Sequence, residues 1–190
     1  MKRLIVGMSG ASGAIYGIRL LTVLRNLPTI ETHLVMSNAA KRTILLETDY
    51  KVKEVEALAD RLYSFGDIAA SISSGSFKTV GMVVVPCSIK TLSGIANSYS
   101  DNLLSRAADV VLKDRRKLVL VVRETPLHLG HLRLMTAVTE MGAIITPPMP
   151  AFYHRPKTID DIVNQTVNRV LDLLDIELDE DLFTRWEGPS

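Results

Sequence analysis

Continuous apolar runs alternate along the chain with segments that have the apolar spacing of helices. The runs RLIVG, ETHLVMS, GMVVVPCS and KLVLVVRE predict four strands, and AIYGIRLLTVLRNL and NAAKRTILLET predict the helices that follow the first two. These runs lack the period-two alternation of a strand with one face in water, so we expect helices to cover both faces of a parallel sheet. The pattern predicts a doubly wound α/β fold with three layers, αβα.

The remaining segments fit the same single domain. TLSGIANSYSDNLLSRAADVVLKDRR has the length of helical sequence, and IDDIVNQTVNRVLDLLDI predicts a long helix near the C-terminus. Residues 51–76 are less regular, and SFGDIAASISSGSFKTVG is interpreted as a local excursion without a domain boundary. We therefore expect residues 1–190 to form one domain.

Composition and charge narrow the class of protein. The 190 residues are 47% hydrophobic and 23% charged, which suits one globular domain with a substantial core. Since 22 Lys and Arg balance 21 Asp and Glu, no global field favours nucleic acid or an acidic membrane surface, and any anion site must be local. One cysteine excludes an intrachain disulfide. Gly and Ser come too early in MKRLIVGMSG for us to expect a signal peptide there, and no apolar run approaches about 20 residues. The sequence predicts a cytoplasmic protein without nucleic-acid or membrane partners.

Small and polar residues follow each predicted strand. Because the carboxyl ends of parallel strands meet at one edge of the sheet, we expect these residues to form one ligand-binding edge with hydroxyls and free N–H groups suited to phosphate. Glycines there let the backbone approach a bound anion. The alternative is that the small residues only permit tight packing of strand on helix. The residues in question are Ser9, Gly10, Ala11, Ser12, Gly13, Ser37, Asn38, Cys87, Ser88, Ile89, Lys90, Thr91, Arg123 and Glu124.

Four longer motifs carry a resemblance to a known family. GMSGASGAIYGIRLL, VVPCSIKTLSGIA, RAADVVLKDRRKLVLVVRETPLHLGHL and PPMPAFYHRP resemble the UbiX-type flavin prenyltransferases, formerly described as 3-octaprenyl-4-hydroxybenzoate or aromatic-acid decarboxylases. The similarity covers nearly the whole chain. It implies a Rossmann-like (flavodoxin-like) fold, reduced FMN as bound cofactor and substrate, and transfer of a dimethylallyl group from dimethylallyl monophosphate to flavin N5 and C6. The implied product, prenylated FMN, serves UbiD-type decarboxylases in ubiquinone or aromatic-acid metabolism.

The resemblance also implies roles for individual residues. The residues that match the family's FMN positions are Gly10, Ala11, Ser12, Ser37, Ser88, Ile89, Lys90, Thr91 and Arg123. Those that match the dimethylallyl phosphate positions are Arg106, Lys113, Arg123, Tyr153 and Arg169. Lys113 would act in catalysis by holding the departing phosphate without a metal, while Glu47 and Glu124, with Ser12 beside them, would assist proton transfer. The family forms dodecamers with active sites between subunits, and residues 158–190 would dock on a neighbouring subunit.

The local sequence also allows structural interpretations. Taken alone, Lys113 in the turn KDRRK and Arg169 in a surface helix would be solvated charges, Tyr153 a packing aromatic and Glu124 a strand-end carboxylate. Cys87 is interpreted as a small buried residue. The histidines lack metal-ligand spacing, so no metal site is expected. Two other functions stay open: an FMN-dependent decarboxylase of a cysteinyl or aromatic acid, and a flavin carrier without chemistry of its own.

Overall fold

Six strands form one sheet in the computed structural model, which describes residues 1–188. The strands are β1 (Lys2–Met8), β2 (Ile30–Met36), β3 (Arg61–Tyr63), β4 (Gly81–Cys87), β5 (Lys117–Val122) and β6 (Ile144–Ile145). Every neighbouring pair is parallel, and the spatial order is β3-β2-β1-β4-β5-β6. This order is that of the Rossmann sheet, in which the direction of winding reverses between β1 and β4.

Helices cover both faces of the sheet. They are α1 (Ala14–Arg25), α2 (Asn38–Glu47), α3 (Val52–Glu56), α4 (Ile89–Ala96), α5 (Leu103–Lys113), α6 (Leu129–Glu140) and α7 (Ile159–Leu173), with a short 3₁₀ turn at Ser71–Ser73. Buried residues of α1, α2, α3 and α7 share one apolar cluster, and those of α4, α5 and α6 share a second. The two clusters lie on opposite faces of the sheet, so the predicted doubly wound, three-layer fold is confirmed.

The strand sequences explain this double burial. In β1, Leu4 and Val6 join the first cluster while Ile5, between them, joins the second, and all three are at most 1% exposed. In β4, Val83 and Val84 divide in the same way. Both faces of these strands are therefore apolar, which is why the runs lack alternation.

The edges of the sheet and one loop differ from the sequence prediction. β3 and β6, with three and two residues, are too short to give a periodic signal, and α6 was not predicted. The long helical segment divides into α4 and α5 around a loop at residues 97–102, where Ser98 has a φ of 52°. This loop becomes part of the site described below.

α7 packs against α1 of the same chain. Val163, Val167, Val170 and Leu171 are buried in the apolar cluster that α1 shares. Docking of residues 158–190 on a neighbouring subunit therefore concerns the outer surface of α7 and the tail, and it stays a prediction; residues 189 and 190 lie outside the described part of the chain. From Met1 to Gly188, no helix combines the length and hydrophobicity needed to cross a bilayer.

Candidate active site

A cavity of about 810 Å³ opens at the carboxyl edge of the sheet, between the N-termini of α2 and α4. We call it the edge cavity. Five residues predicted to bind the cofactor line it: Gly10, Ser37, Ser88, Lys90 and Thr91. They come from the loops after β1, β2 and β4, so the expectation that these loops meet at one edge is confirmed.

Serine caps begin the two helices at this cavity. Ser37 Oγ accepts the Ala40 N–H at 3.0 Å, and Ser88 Oγ accepts the Thr91 N–H at 3.3 Å. Each cap satisfies one N–H and leaves others of the first turn without an intrahelical partner. Two helix N-termini, hydroxyls and the Lys90 ammonium therefore form a donor set suited to a phosphate-bearing cofactor.

Gly10 brings the loop after β1 against the start of α2. A Cβ placed at Gly10 would lie 2.3 Å from Ala39 Cβ, closer than two carbon atoms can approach. The loop and the helix can therefore meet at the cavity wall only if this position lacks a side chain.

Ser9 has a structural role instead of the donor role expected from its position. Its hydroxyl donates to Pro86 O at 3.0 Å and accepts the Ser88 N–H at 2.8 Å, and the residue is 2% exposed. Ser9 thus ties the end of β1 to the end of β4, where the winding of the sheet reverses. With both functions of its hydroxyl satisfied, it is not a free donor for an anion.

Glu47 occupies the N-terminus of α1, where the sequence analysis expected space for phosphate. Its Oε2 accepts the N–H groups of Gly13 at 2.8 Å and Ala14 at 3.2 Å. Burial would raise the pKa of Glu47, but hydrogen bonds from Ser12, Gly13 and Ala14 and the nearby Arg123 guanidinium outweigh it and lower that pKa. A carboxylate of the same chain therefore binds at the N-terminus of α1, and phosphate binding by the loop after β1 stays a prediction.

Asn38, predicted at this edge, also lines the cavity, whereas Ala11, Ser12, Ile89, Arg123 and Glu124 do not. Arg123 follows β5 and its N–H donates to Cys87 O at 3.0 Å, while the exposed Glu124 accepts the Thr125 N–H at 3.0 Å. Ala11 is buried, and Ile89 packs partly into the second apolar cluster. Ser12, Glu47 and Arg123 form a second polar group beside the cavity, and the roles predicted for all these residues stay predictions.

Several cavity residues were missed by sequence reasoning. They lie after β3, on α4, on the loop between α4 and α5, and on α5, and they include Phe65, Ser93, Asn97, Tyr99, Asn102 and Ser105. The one usable signal was the cluster of turn-forming residues in NSYSDN, which interrupts the helical spacing. The whole segment was interpreted as helical sequence without a break at NSYSDN, so the loop was not recognised as a cavity wall.

The residues predicted to bind the dimethylallyl phosphate do not meet within one chain. Arg106 and Lys113 lie on α5, while Tyr153 and Arg169 lie beside and on α7, on the opposite face of the sheet. Arg106 pairs with Asp109 at 2.9 Å, and Lys113 lies 3.4 Å from Asp114 at the end of α5. A single subunit therefore cannot assemble all four side chains around one phosphate.

Tyr153 and Arg169 line a second cavity, of about 510 Å³, together with Phe183, Arg185 and Trp186. We call it the tail cavity, because the last three of these residues belong to the segment after α7. Gln165 Nε2 lies 3.3 Å from the Tyr153 hydroxyl, and Arg169 binds Asp172 at 2.7 Å. The cavity offers aromatic walls and two guanidinium groups, a combination that suits an apolar phosphate ester.

Cys87 and the histidines do not form a reactive or metal-binding centre in the described residues. Cys87 is 0% exposed, and burial raises the pKa of its thiol to about 12. His128 caps α6 by accepting the Gly130 N–H at 3.0 Å. Among residues 1–188, no three His, Cys, Asp or Glu side chains are grouped so that they could hold a metal ion.

The fold and the edge cavity are those of an α/β protein that can bind a phosphate-bearing cofactor. Comparison with known protein families identifies the family. The model of the Flavoprotein family matches residues 1–171. The predicted flavoprotein class is thereby confirmed. The donor set of the edge cavity fits FMN, whose phosphate needs N–H and hydroxyl donors.

Relatives of known function narrow the class further. The chain is 71% identical over 188 residues to the flavin prenyltransferase UbiX of Escherichia coli K12, covering 99% of this chain and 100% of that protein. It is 63% identical over 186 residues to the UbiX of Thauera aromatica, covering 98% and 94%. The chain therefore belongs to the Flavoprotein family and, within it, to the UbiX flavin prenyltransferases, as the sequence motifs predicted.

Two solved structures share the whole fold. The crystal structure of AnUbiX (PadA1) in complex with FMN and dimethylallyl pyrophosphate has a TM-score of 0.95 and 53% identity, covering 100% of this chain and 99% of that one. A dodecameric FMN-dependent UbiX-like decarboxylase from Escherichia coli O157:H7 has a TM-score of 0.94 and 56% identity, covering 98% and 100%.

Proposed function

We propose that the protein transfers a dimethylallyl group from dimethylallyl monophosphate to N5 and C6 of reduced FMN. The observation that carries the proposal is the edge cavity, whose donors suit a flavin phosphate, in a chain that shares its full length with flavin prenyltransferases. The complex of AnUbiX with FMN and dimethylallyl pyrophosphate supports both ligand classes.

The flavin site is built from the two serine-capped helix N-termini. Ser37, Ser88 and Thr91 hold the phosphate and ribityl hydroxyls, Lys90 adds positive charge, and Gly10 forms the wall on the side of the loop that continues to Ala11 and Ser12. Bound in its reduced form, FMN supplies the nucleophilic N5 and C6 atoms. Arg123 lies close enough to Glu47 to lower the pKa of that carboxyl.

The phosphate of the second substrate is held between subunits. Since Lys113 and Arg169 lie on opposite faces of one chain, the clamp requires α5 of one subunit and α7 of another. Breaking the allylic C–O bond leaves the electron pair on the phosphate, and fixed cations that bind its growing charge lower the barrier. The dodecameric relative supports such an assembly.

Glu47, Ser12 and Glu124 handle the protons released as the new ring closes. Glu47 is held ionised by its hydrogen bonds and by Arg123, which makes it an acceptor at neutral pH. Glu124 is exposed at the end of β5 and adds a second carboxylate on the same edge of the sheet.

The setting of the reaction follows from its product. Prenylated FMN has to leave for a UbiD-type decarboxylase, and the cytoplasmic location predicted from the sequence is compatible with that transfer. A direct decarboxylase and a passive flavin carrier are the alternatives. Both differ from the proposal in one measurable respect, since neither releases phosphate from dimethylallyl monophosphate.

The test is release of inorganic phosphate from dimethylallyl monophosphate under anaerobic conditions, with reduced FMN present or omitted. We expect phosphate release to require both FMN and protein. The total released should be one phosphate per reduced FMN supplied. Phosphate release that does not depend on FMN, or none at all, would contradict the proposal.

A further inference from the structure

Arg169 and Arg185 share a single carboxylate beside the tail cavity. Arg169 Nη1 donates to Asp172 Oδ2 at 2.7 Å. Arg185 binds both oxygens of the same group, with Nη1 at 3.0 Å from Oδ2 and Nη2 at 2.9 Å from Oδ1. Asp172 therefore bridges the two guanidinium groups, and the charge of one carboxylate is shared between two cations.

A second carboxylate fastens Arg185 and the tail to α7. Asp181 accepts from Arg185 Nε and Nη2 and from the Asn168 amide at 3.2 Å. Asn168 is 1% exposed, and its Oδ1 accepts the Leu182 N–H at 2.7 Å. The segment that carries Phe183 and Trp186 is thus held to the helix that carries Arg169.

The charges of this cluster balance only while Arg185 is present. Two guanidinium groups face two carboxylates, so the cluster is neutral as a whole. Without Arg185, Asp172 and Asp181 would leave Arg169 as the one cation among them, and Asp172 would pair with Arg169 alone. A negative cluster with its remaining arginine engaged repels a phosphate.

We propose that Arg185 is a positioning residue for the phosphate substrate: by sharing Asp172 it weakens the hold of that carboxylate on Arg169, so that Arg169 can bind the phosphate, and it holds Phe183 and Trp186 across the tail cavity from Tyr153. The inference rests on the proposed function, in which Arg169 binds dimethylallyl monophosphate. It assigns Arg185 a role through Arg169, with no contact of its own to the reacting atoms.

The test compares Arg185→Gln with Asp172→Asn in steady-state prenylation at saturating reduced FMN. For Arg185→Gln we expect KM for dimethylallyl monophosphate to rise about tenfold or more, with kcat within about threefold of the unmodified protein, since charge-assisted contacts to phosphate are lost. Asp172→Asn removes the competitor for Arg169, so KM should not rise. In the double variant, KM for dimethylallyl monophosphate should fall most of the way back to the value of the unmodified protein.

A second readout follows the tail itself. Trp186 is the only tryptophan of the sequence, so tryptophan fluorescence reports on this segment alone. Arg185→Gln should increase acrylamide quenching of Trp186. Arg185→Lys, which keeps the charge, should show a smaller rise in KM and a smaller increase in quenching than Arg185→Gln. Lys53→Gln, which removes an exposed charge on α3, is the matched control and should change neither.

The outcomes separate this inference from the proposed function. Equal KM values in Arg185→Gln and the unmodified protein would overturn the inference, and so would an equal loss in Arg185→Gln and Asp172→Asn, which a purely structural network predicts. If the unmodified protein forms no prenylated flavin, the proposed function fails first. FMN affinity measured for each variant should stay constant, because the edge cavity lies elsewhere.

Discussion

The carboxylate of Glu47, at the end of α2, accepts the backbone N–H of Gly13 at 2.8 Å, at the start of α1. Gly13 has a φ of 97°, a left-handed conformation that a residue without a side chain adopts readily. This contact makes Glu47 the anion at the N-terminus of α1. In the proposed flavin site, phosphate binding is therefore assigned to the N-termini of α2 and α4 at the edge cavity.

The Glu47 contact predicts a pH-dependent stability. Because the pKa of Glu47 is lowered in the folded protein, its contribution is fully present above the ordinary pKa of 4.5 and is lost as the pH falls through the lower folded value. Glu47→Gln should therefore lower the melting temperature by about 1 to 3 °C at neutral pH. Differential scanning fluorimetry across acidic and neutral buffers should show this difference disappear in acid; a constant difference would contradict the contact.

Gly10 should tolerate no side chain. Gly10→Ala places a Cβ 2.3 Å from Ala39 Cβ and must displace the loop or α2, so FMN affinity and melting temperature should both fall. Gly66→Ala is the matched control, because a Cβ there meets nothing within 4 Å. Flavin titration and thermal unfolding of both variants measure the effect. Similar behaviour of the two would show that the close approach at Gly10 is unimportant.

Cys87 should be inert in the native protein. Its thiol is fully buried and has a pKa of about 12, so almost no thiolate is present near neutral pH. Ellman's reagent should react with one thiol per chain only after denaturation. Rapid modification of the folded protein, with loss of activity, would point to a reactive cysteine at the edge cavity.

The phosphate clamp should be shared between subunits. Lys113→Met and Arg169→Ala should each lower turnover by about two orders of magnitude, the scale of losing one donor to a developing anion. If α5 and α7 of different subunits form each site, co-expression of the two variants should regenerate intact sites, about one quarter in a random mixed oligomer.

The control for this experiment is a mixture of the two separately purified variants without exchange of subunits. It should stay inactive. Activity that is no higher in the co-expressed oligomer than in either parent would place both residues in the same subunit's site or outside the site. FMN retention should be normal throughout, since neither residue lines the edge cavity.

The central strands of the sheet could be predicted from the sequence because the signal for each one lies within a short stretch of consecutive residues. Strands such as β1 and β4 are buried on both faces, and their continuous apolar runs carry that information directly. β3 and β6 are too short for any pattern. The split between α4 and α5 depends on a loop whose position only the packed structure determines.

The candidate site was predictable where it depends on residues that follow strands, and less so where it depends on distant contacts. Ser37 and Ser88 were found because the ends of parallel strands meet. The sequence did not show that Glu47 binds Gly13, or that Pro86 and Ser88 already occupy the hydroxyl of Ser9. These hydrogen bonds join residues that are 34, 77 and 79 positions apart in the sequence. The placement of Lys113 away from Arg169 could likewise be seen only in the folded chain.

The most direct measurement of the central claim is the mass of the flavin after reaction. Reduced FMN, dimethylallyl monophosphate and the protein are incubated without oxygen, and the extracted flavin is analysed by mass spectrometry, with Ser88→Ala and Lys113→Met alongside. The account predicts a flavin heavier by one C5H8 unit with the unmodified protein, and much less of it with either variant. Unchanged flavin mass in the presence of bound FMN and intact dimethylallyl monophosphate would contradict it.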